Sequence, residues 1–171
     1  MRKLFSTIIG ILACCAFIHA QDKDKVTGEL LSMLGSSKLL IHYEYTDAPG
    51  RQPSSGTAVV QQNKYTVTEG KAVFMCNGTT KWSMFKDTRE IYIENAGGDN
   101  DIFGNLAAII QNVENLQFDG TDISFALTLP GMQGKISCKA RIDRLPLDPD
   151  AKFIIEEGVL NNPTWVVTDL R

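Results

Sequence analysis

The sequence predicts an α+β fold, in which a curved antiparallel sheet forms an incomplete β-barrel covered by an N-terminal helix and a mid-chain lid helix. About ten short segments alternate apolar and polar residues, as half-buried strands do. Two segments instead repeat their apolar residues at helical spacing, and one of these lies in the middle of the strands. The connections between strands are short, which favours a meander whose sheet twists and curls on itself.

The N-terminal helix is predicted over residues 25–34, after which Gly35 supplies a stop. Its apolar positions fall at helical spacing: Val26, Leu30, Leu31 and Leu34. Strands are predicted over residues 38–46, 56–62, 64–68, 116–118, 122–129, 135–142, 152–157 and 164–168, with three more inside residues 73–95. The glycine, proline and asparagine residues between these segments supply the turns.

The lid helix is predicted over residues 101–113, behind an Asn/Asp cap. Its apolar residues recur at the helical period: Ile102, Phe103, Leu106, Ile109, Ile110 and Val113. Because such a helix must bury its apolar stripe against another element, we expect it to cover the open side of the curled sheet.

The N-terminus has the pattern of an export signal. Arg2 and Lys3 precede an apolar run over residues 4–18, and the composition changes sharply after Ala20. Cleavage there removes residues 1–20 as a signal peptide and leaves residues 21–171 as a single domain. Loss of the two basic residues moves the net charge from −3 to about −5. A lipid anchor at Cys14 is the alternative, since residues 11–14 loosely resemble a lipobox.

Most function classes lack the residues they need in the mature chain. A catalytic triad would have to be built around its single histidine, His42, and a lone strand histidine is more often a surface or interface residue. No glycine-rich loop fits a phosphate. The acidic balance argues against nucleic acid. We expect neither an enzyme nor a metal or cofactor site, because His42 and two cysteines lack metal-ligand spacing. Those cysteines, Cys76 and Cys138, either pair in an oxidising compartment or are buried as small apolar residues.

Residues 73–95 are typical of three short strands joined by two tight turns. Asn77-Gly78 begins the first turn, and residues 86–89 form the second. The run from Asn77 to Ile93 contains Asn-Gly-x-Thr-x-Trp, a charged turn and Glu-Ile-Tyr-Ile, and it resembles the LolA-like family of outer-membrane lipoprotein carriers. That family typically has Asp-Gly-x-Thr-x-Trp-x-Tyr here and often a proline in the second turn. The chain departs from this pattern at Asn77, Met84 and Lys86.

The resemblance implies an element order: an N-terminal helix, strands, a helical lid and further strands. It also implies a function, that of a monomeric periplasmic carrier. Such a carrier takes lipidated proteins from an inner-membrane releasing complex to an outer-membrane acceptor. Family members hold the lid shut with an arginine at the cavity mouth, and the strands of this chain offer no clear counterpart.

A hydrophobic cavity for acyl chains is the expected binding site, with a volume of at least a few hundred Å³. Its lining is predicted from inward-pointing strand residues: Tyr43, Met75, Trp82, Met84, Ile91, Ile93, Phe125, Leu127, Ile142 and Phe153. The lid contributes Ile102, Phe103, Leu106, Ile109 and Ile110. Two alternatives stay open. One is a carrier of another amphiphile, and the other is a non-enzymatic cell-envelope interaction or scaffold domain whose core these residues fill.

Overall fold

The computed structural model describes residues 23–47, 51–97, 113–118, 121–128 and 135–171. Among these residues, helix α1 spans Lys23–Ser36 and the short helix α2 spans Glu157–Leu160. The strands are β1 (Lys38–Thr46), β2 (Ser54–Gln61), β3 (Lys64–Glu69), β4 (Ala72–Cys76), β5 (Thr80–Phe85), β6 (Glu90–Asn95), β7 (Val113–Phe118), β8 (Asp122–Leu127), β9 (Ile136–Leu145) and β10 (Val166–Asp169). The predicted signal peptide lies outside the described residues, and so do the predicted lid residues Ile102, Phe103, Leu106, Ile109 and Ile110.

The ten strands of the described chain form one open sheet, in the order β10-β6-β5-β4-β3-β2-β1-β9-β8-β7. This sheet is not closed into a barrel. β1 pairs with both β2 and β9, so it joins the β1–β6 hairpins to the β7–β9 hairpins. The predicted antiparallel pairing is confirmed for β1–β9, but it is wrong for β10, which runs parallel to β6. The reason is the long connection after β9, which carries the chain back to the β6 edge.

One predicted helix end and one predicted strand are among the differences from the structure. Strand β7 begins at Val113, a residue that the periodicity assigns to the end of the lid helix. Residues 152–157 are predicted as a strand, yet they form none. The alternation there is nevertheless seen in the burial, because Phe153 and Ile155 are buried while Ile154 is 43% exposed. Alternate burial along this segment therefore produces a period of two although the segment is not a strand.

The buried side of the sheet changes from one face to the other along the strand order. We call the face that carries Ile41 and Tyr43 of β1 face A, and the opposite face, which carries His42, face B. One row of registered face B residues crosses six strands: His42, Thr57, Thr68, Val73, Met84 and Ile91. His42 at one end of this row is exposed, whereas Ile91 at the other end is fully buried.

Two hydrophobic clusters result from this switch. The face A cluster joins strands β1–β4 and β7–β9, and its most deeply buried members are Leu39, Ile41, Val60, Val67 and Ile136. The face B cluster lies on β5 and β6 and contains Trp82, Ile91 and Ile93 together with Ile155 from the C-terminal segment. The single sheet thus has apolar packing on opposite faces of its two halves.

Helix α1 contacts the sheet through its last turn. Met33 and Leu34 are buried in the face A cluster, whereas Leu31 is 52% exposed. The backbone N–H of Gln62 in the β2–β3 turn donates to the Leu34 carbonyl at 3.2 Å, which fixes the end of the helix. The predicted helix is therefore confirmed. A cover over the sheet is not, since only this last turn packs on face A within the part of the chain that the structure describes.

Candidate functional site

The ten residues predicted to line one cavity lie on both faces of the sheet. Four belong to the face A cluster: Tyr43, Phe125, Leu127 and Ile142. Five belong to or pack against the face B cluster: Met75, Trp82, Met84, Ile91 and Ile93. Phe153 is buried outside both clusters. The two groups cannot share one cavity, because the sheet itself separates them.

The tryptophan hairpin is filled by the chain's own C-terminal segment. Trp82 is 8% exposed, and its cluster contains the buried Ile155. Three half-buried side chains from the same segment pack against it: Val159, Leu160 and Trp165. Strand β10 then pairs with β6, and the Val166 N–H donates to the Arg89 carbonyl at 2.8 Å. This region is therefore a core rather than an empty cavity.

An open cavity of about 1290 Å³ is bordered by β1, β2, β7, β8 and β9. The charged residues around it lie in register and are exposed on face B: His42, Glu44, Asp122, Lys139 and Arg141. The residues that alternate with these, such as Tyr43 and Ala140, are buried, so we place the cavity on face B. Of the ten predicted residues, only Tyr43 borders it, while Phe125 borders a neighbouring cavity of about 440 Å³. Its rim is charged, and its lining also includes the apolar side chains of Leu116, Phe118 and Ile123.

A carboxylate with two phenol partners lies on face A at the end of β3. The Tyr43 hydroxyl donates to Oε2 of Glu69 at 3.0 Å, and the Tyr45 hydroxyl donates to Oε1 at 2.8 Å. Gly56 makes this possible, because a Cβ at that position would lie 2.5 Å from the Tyr43 hydroxyl oxygen. The Tyr43 ring therefore lies over the backbone of β2 and reaches β3 beyond it. We call these three residues, Tyr43, Tyr45 and Glu69, the Glu69 cluster.

Burial makes both phenols of the Glu69 cluster weaker acids than an exposed tyrosine. It raises the pKa of Tyr43 far above its usual value of 10.0, and the neighbouring Glu69 carboxylate raises it further. Burial and the hydrogen bond to Glu69 together raise the pKa of Tyr45 to about 12. Neither phenol loses its proton at neutral pH. The two tyrosines thus act as hydrogen-bond donors to one carboxylate.

Aromatic rings continue face A beyond this cluster. Phe74 and Phe85 meet edge to face with ring centroids 6.0 Å apart, and Phe85 meets Tyr92 at 6.2 Å. All three rings are half-buried. Phe74 also packs against the face A cluster, so the apolar surface continues from β3 toward β6. Sequence reasoning missed this aromatic strip, although the alternation of β4 and β6 carries its signal.

Cys76 and Cys138 are both buried, and the possible disulfide between them is not formed. Both side chains lie in the face A cluster, but three strands separate β4 from β9 in the sheet order. Neighbouring strands lie roughly 4.8 Å apart, far too much in sum for an S–S bond. The Cys76 sulfur instead accepts the Gly78 N–H at 3.3 Å. Burial raises the pKa of Cys138 to about 12, which leaves it an inert thiol.

Neither a metal-ligand group nor a membrane-spanning helix is found among the described residues. Among them, no group of three or more histidine, cysteine or carboxylate side chains is placed to hold a metal ion. His42 is exposed on face B, in register with Thr57 and Arg141. No helix among the described residues combines the length and apolar character that a membrane span needs.

Alkaline pH is expected to destabilise the protein between about pH 10 and 12. Unfolded tyrosines titrate near pH 10, whereas the folded protein holds the phenol proton of Tyr45 up to about 12 and that of Tyr43 beyond. The unfolded state then binds fewer protons, so the free energy of unfolding falls as the pH rises. Urea unfolding at a series of pH values measures the slope. The Tyr43→Phe/Tyr45→Phe variant should flatten it, and an unchanged slope would contradict the assignment.

Comparison with known proteins adds no functional information. No family model matches the chain, and no curated protein does. Among solved structures, the chain is similar to an uncharacterized conserved protein from Thermus thermophilus. The similarity covers 83% of this chain and 98% of that chain, with 9% sequence identity and a TM-score of 0.45. A likeness at this level carries neither fold nor function from that protein to this one.

Proposed function

We propose that the chain is a monomeric periplasmic carrier, which binds the acyl chains of lipoproteins on face A and delivers them toward the outer membrane. The observation that carries the proposal is the open sheet with an apolar face spread over seven strands. Among the described helical residues, only the last turn of α1 packs on that face. An apolar sheet face needs a cover in water, and a movable cover gives a binding site.

The proposal moves the acyl-chain site away from the tryptophan hairpin. The residues predicted from β1, β8 and β9 stay in it: Tyr43, Phe125, Leu127 and Ile142. The face B residues leave it, since the C-terminal segment already covers them. In this proposal the sheet acts as an incomplete barrel. Its covers are α1 and the mid-chain lid predicted around residues 102–110, which lies outside the described residues.

The energetics suit a carrier that must also release its load. Burying about ten methylenes at roughly 0.8 kcal/mol each stabilises the complex by on the order of 8 kcal/mol. That is enough to hold a lipid chain for transit, and an acceptor with a larger apolar surface still competes. The releasing complex and the outer-membrane acceptor belong to the proposal through the LolA-like resemblance of residues 77–93.

One observation favours a second candidate, a non-enzymatic interaction domain of the cell envelope with a filled core. The face A residues Leu39, Ile41, Val60, Val67 and Ile136 are less than 2% exposed. Residues so completely covered already behave as a packed interior. In this candidate, the chain would act through its surface, including the charged cavity on face B.

Binding of a fluorescent fatty acid and of a lipopeptide to the delipidated protein tests the carrier. We expect about one ligand per chain, displaced by unlabelled fatty acid. Phe74→Lys should weaken binding at least about tenfold, because it places a charge on face A. Met75→Lys is the matched control, since the adjacent residue lies on face B with similar burial. Absence of binding to folded protein would reject the carrier in favour of the interaction domain.

A further inference from the structure

We propose that the Glu69 cluster binds the ammonium group of a cationic amphiphile whose alkyl chain lies along face A. The inference rests on the proposed function, since it names the head group that an acyl-chain site would accept. Glu69 and the Tyr43 and Tyr45 hydroxyls supply the polar contacts. The aromatic strip of Phe74, Phe85 and Tyr92 lies on the same face.

The first argument is an uncompensated negative charge. Glu69 is half-buried, and each of its carboxylate oxygens accepts one phenol proton. No ion pair with a cationic side chain is found for Glu69 among the described residues. A partly buried carboxylate without a cation loses hydration that neutral donors only partly replace. A bound cation would supply the missing charge.

The second argument is the space beside the carboxylate. On face A, Glu69 pairs with Ala72 of β4. On its other side, Thr68 pairs with Thr57, which places Gly56 next to Glu69. The Tyr43 ring fills the space above Gly56, so the space that remains beside the carboxylate is above Ala72. A head group can approach Glu69 from that side.

The third argument is the aromatic surroundings. Phe74 lies diagonally across from Glu69, because it pairs with Val67, two residues earlier on β3. Phe85 pairs with Ala72, the direct partner of Glu69. Aromatic faces attract ammonium groups through the ring quadrupole, and a carboxylate adds a charged hydrogen-bond acceptor. Carboxylate and rings on one face form the surroundings that an alkylammonium group prefers.

Other ligand classes fit less well. A metal ion needs several anionic or imidazole ligands, and the cluster has one carboxylate and two phenols that keep their protons. An anionic head group would be repelled by the negative charge of Glu69. A primary ammonium has three N–H donors, and each Glu69 carboxylate oxygen, which accepts one phenol proton, has a further lone pair to accept them.

Calorimetric titration with two amphiphiles of equal chain length, dodecylammonium and dodecanoate, tests the proposal below their micelle concentrations. We expect the wild-type protein to bind dodecylammonium about tenfold to a hundredfold more tightly, the range for a charged hydrogen bond. Glu69→Gln should bring the ratio of the two affinities close to one. Glu44→Gln is the matched control, because it makes the same charge change on β1, which β2 separates from β3, and on face B. It should keep the wild-type ratio.

Each outcome has one meaning. Equal affinities in the wild-type protein, or the same loss in Glu44→Gln, would overturn the ammonium site while the carrier stands. Failure of both amphiphiles to bind folded protein would overturn the carrier itself. Propylammonium tests whether the alkyl chain contributes to binding. If it binds as tightly as dodecylammonium, the alkyl chain does not bind along face A. Should Glu69→Gln not fold, Tyr45→Phe removes one phenol contact and is expected to reduce the preference.

Discussion

Replacing Ile155 with aspartate is expected to lower the free energy of unfolding by at least about 4 kcal/mol and to release the C-terminal segment from face B. Ile155 is 5% exposed and belongs to the face B cluster with Trp82, Ile91 and Ile93. The substitution removes its apolar contacts and places an unpaired charge among apolar side chains. Both effects act on the same small cluster, whose described members carry no positive charge to pair with the carboxylate.

Tryptophan fluorescence reports on this cluster, because Trp82 and Trp165, the two tryptophans of the chain, both lie in it. The Ile155→Asp protein should show red-shifted emission without denaturant, together with faster proteolysis within residues 146–165. Ile154→Asp is the control, since the adjacent side chain is 43% exposed and should change stability by at most about 0.5 kcal/mol. Similar behaviour of the two variants would contradict the packing of this segment.

The alternating pattern predicts the strands well because it reflects the local chain. Strand β1 is predicted over residues 38–46, and the structure has it at Lys38–Thr46. The turn at Asn77-Gly78 forms as expected, with the Asn77 side-chain oxygen accepting the backbone N–H groups of Thr79 and Thr80. The second turn, at residues 86–89, ends with Arg89 at a φ of 56°. Local geometry and side-chain capping are properties of a few neighbouring residues, and a sequence can display them.

Which face of each strand is buried cannot be inferred in the same way. Alternation shows that Trp82 and Met84 share a face, but it does not relate that face to the one carrying Tyr43. The answer depends on where the C-terminal segment packs, a contact between residues about 70 positions apart. The parallel pairing of β10 and the separation of the two cysteines depend on the same long-range topology.

The Glu69 cluster illustrates a second reason. Glu69 ends β3 next to Gly70, so its sequence context is typical of a solvated turn. It receives the Tyr43 hydroxyl because β2 contributes a glycine between Glu69 and Tyr43. The placement of a glycine between these two residues depends on the register of β1, β2 and β3. Hydrophobic periodicity does not determine that register. Polar groups inside an apolar sheet face are therefore found from the pairing of the strands and not from a sequence motif.

The central position of β1 leads to a second large effect. Ile41 is fully buried on face A and pairs with Ala58 of β2 and Ile142 of β9, so it lies where the two groups of hairpins meet. Ile41→Ala should lower the free energy of unfolding by about 3 to 4 kcal/mol, through lost apolar contacts and the cavity left behind. The next residue offers the control. His42 lies between the same two strands but is exposed on face B.

His42→Ala should therefore change stability by no more than about 0.5 kcal/mol. Urea unfolding followed by circular dichroism reports on the sheet, while tryptophan fluorescence reports on the face B cluster. Because one sheet carries both clusters, the two signals should change together in Ile41→Ala, at a lower midpoint than in the wild-type protein. Loss of the sheet signal before the fluorescence signal would show instead that the two faces unfold as separate units. Equal midpoints for Ile41→Ala and His42→Ala would contradict the assignment of face A as the buried side of β1.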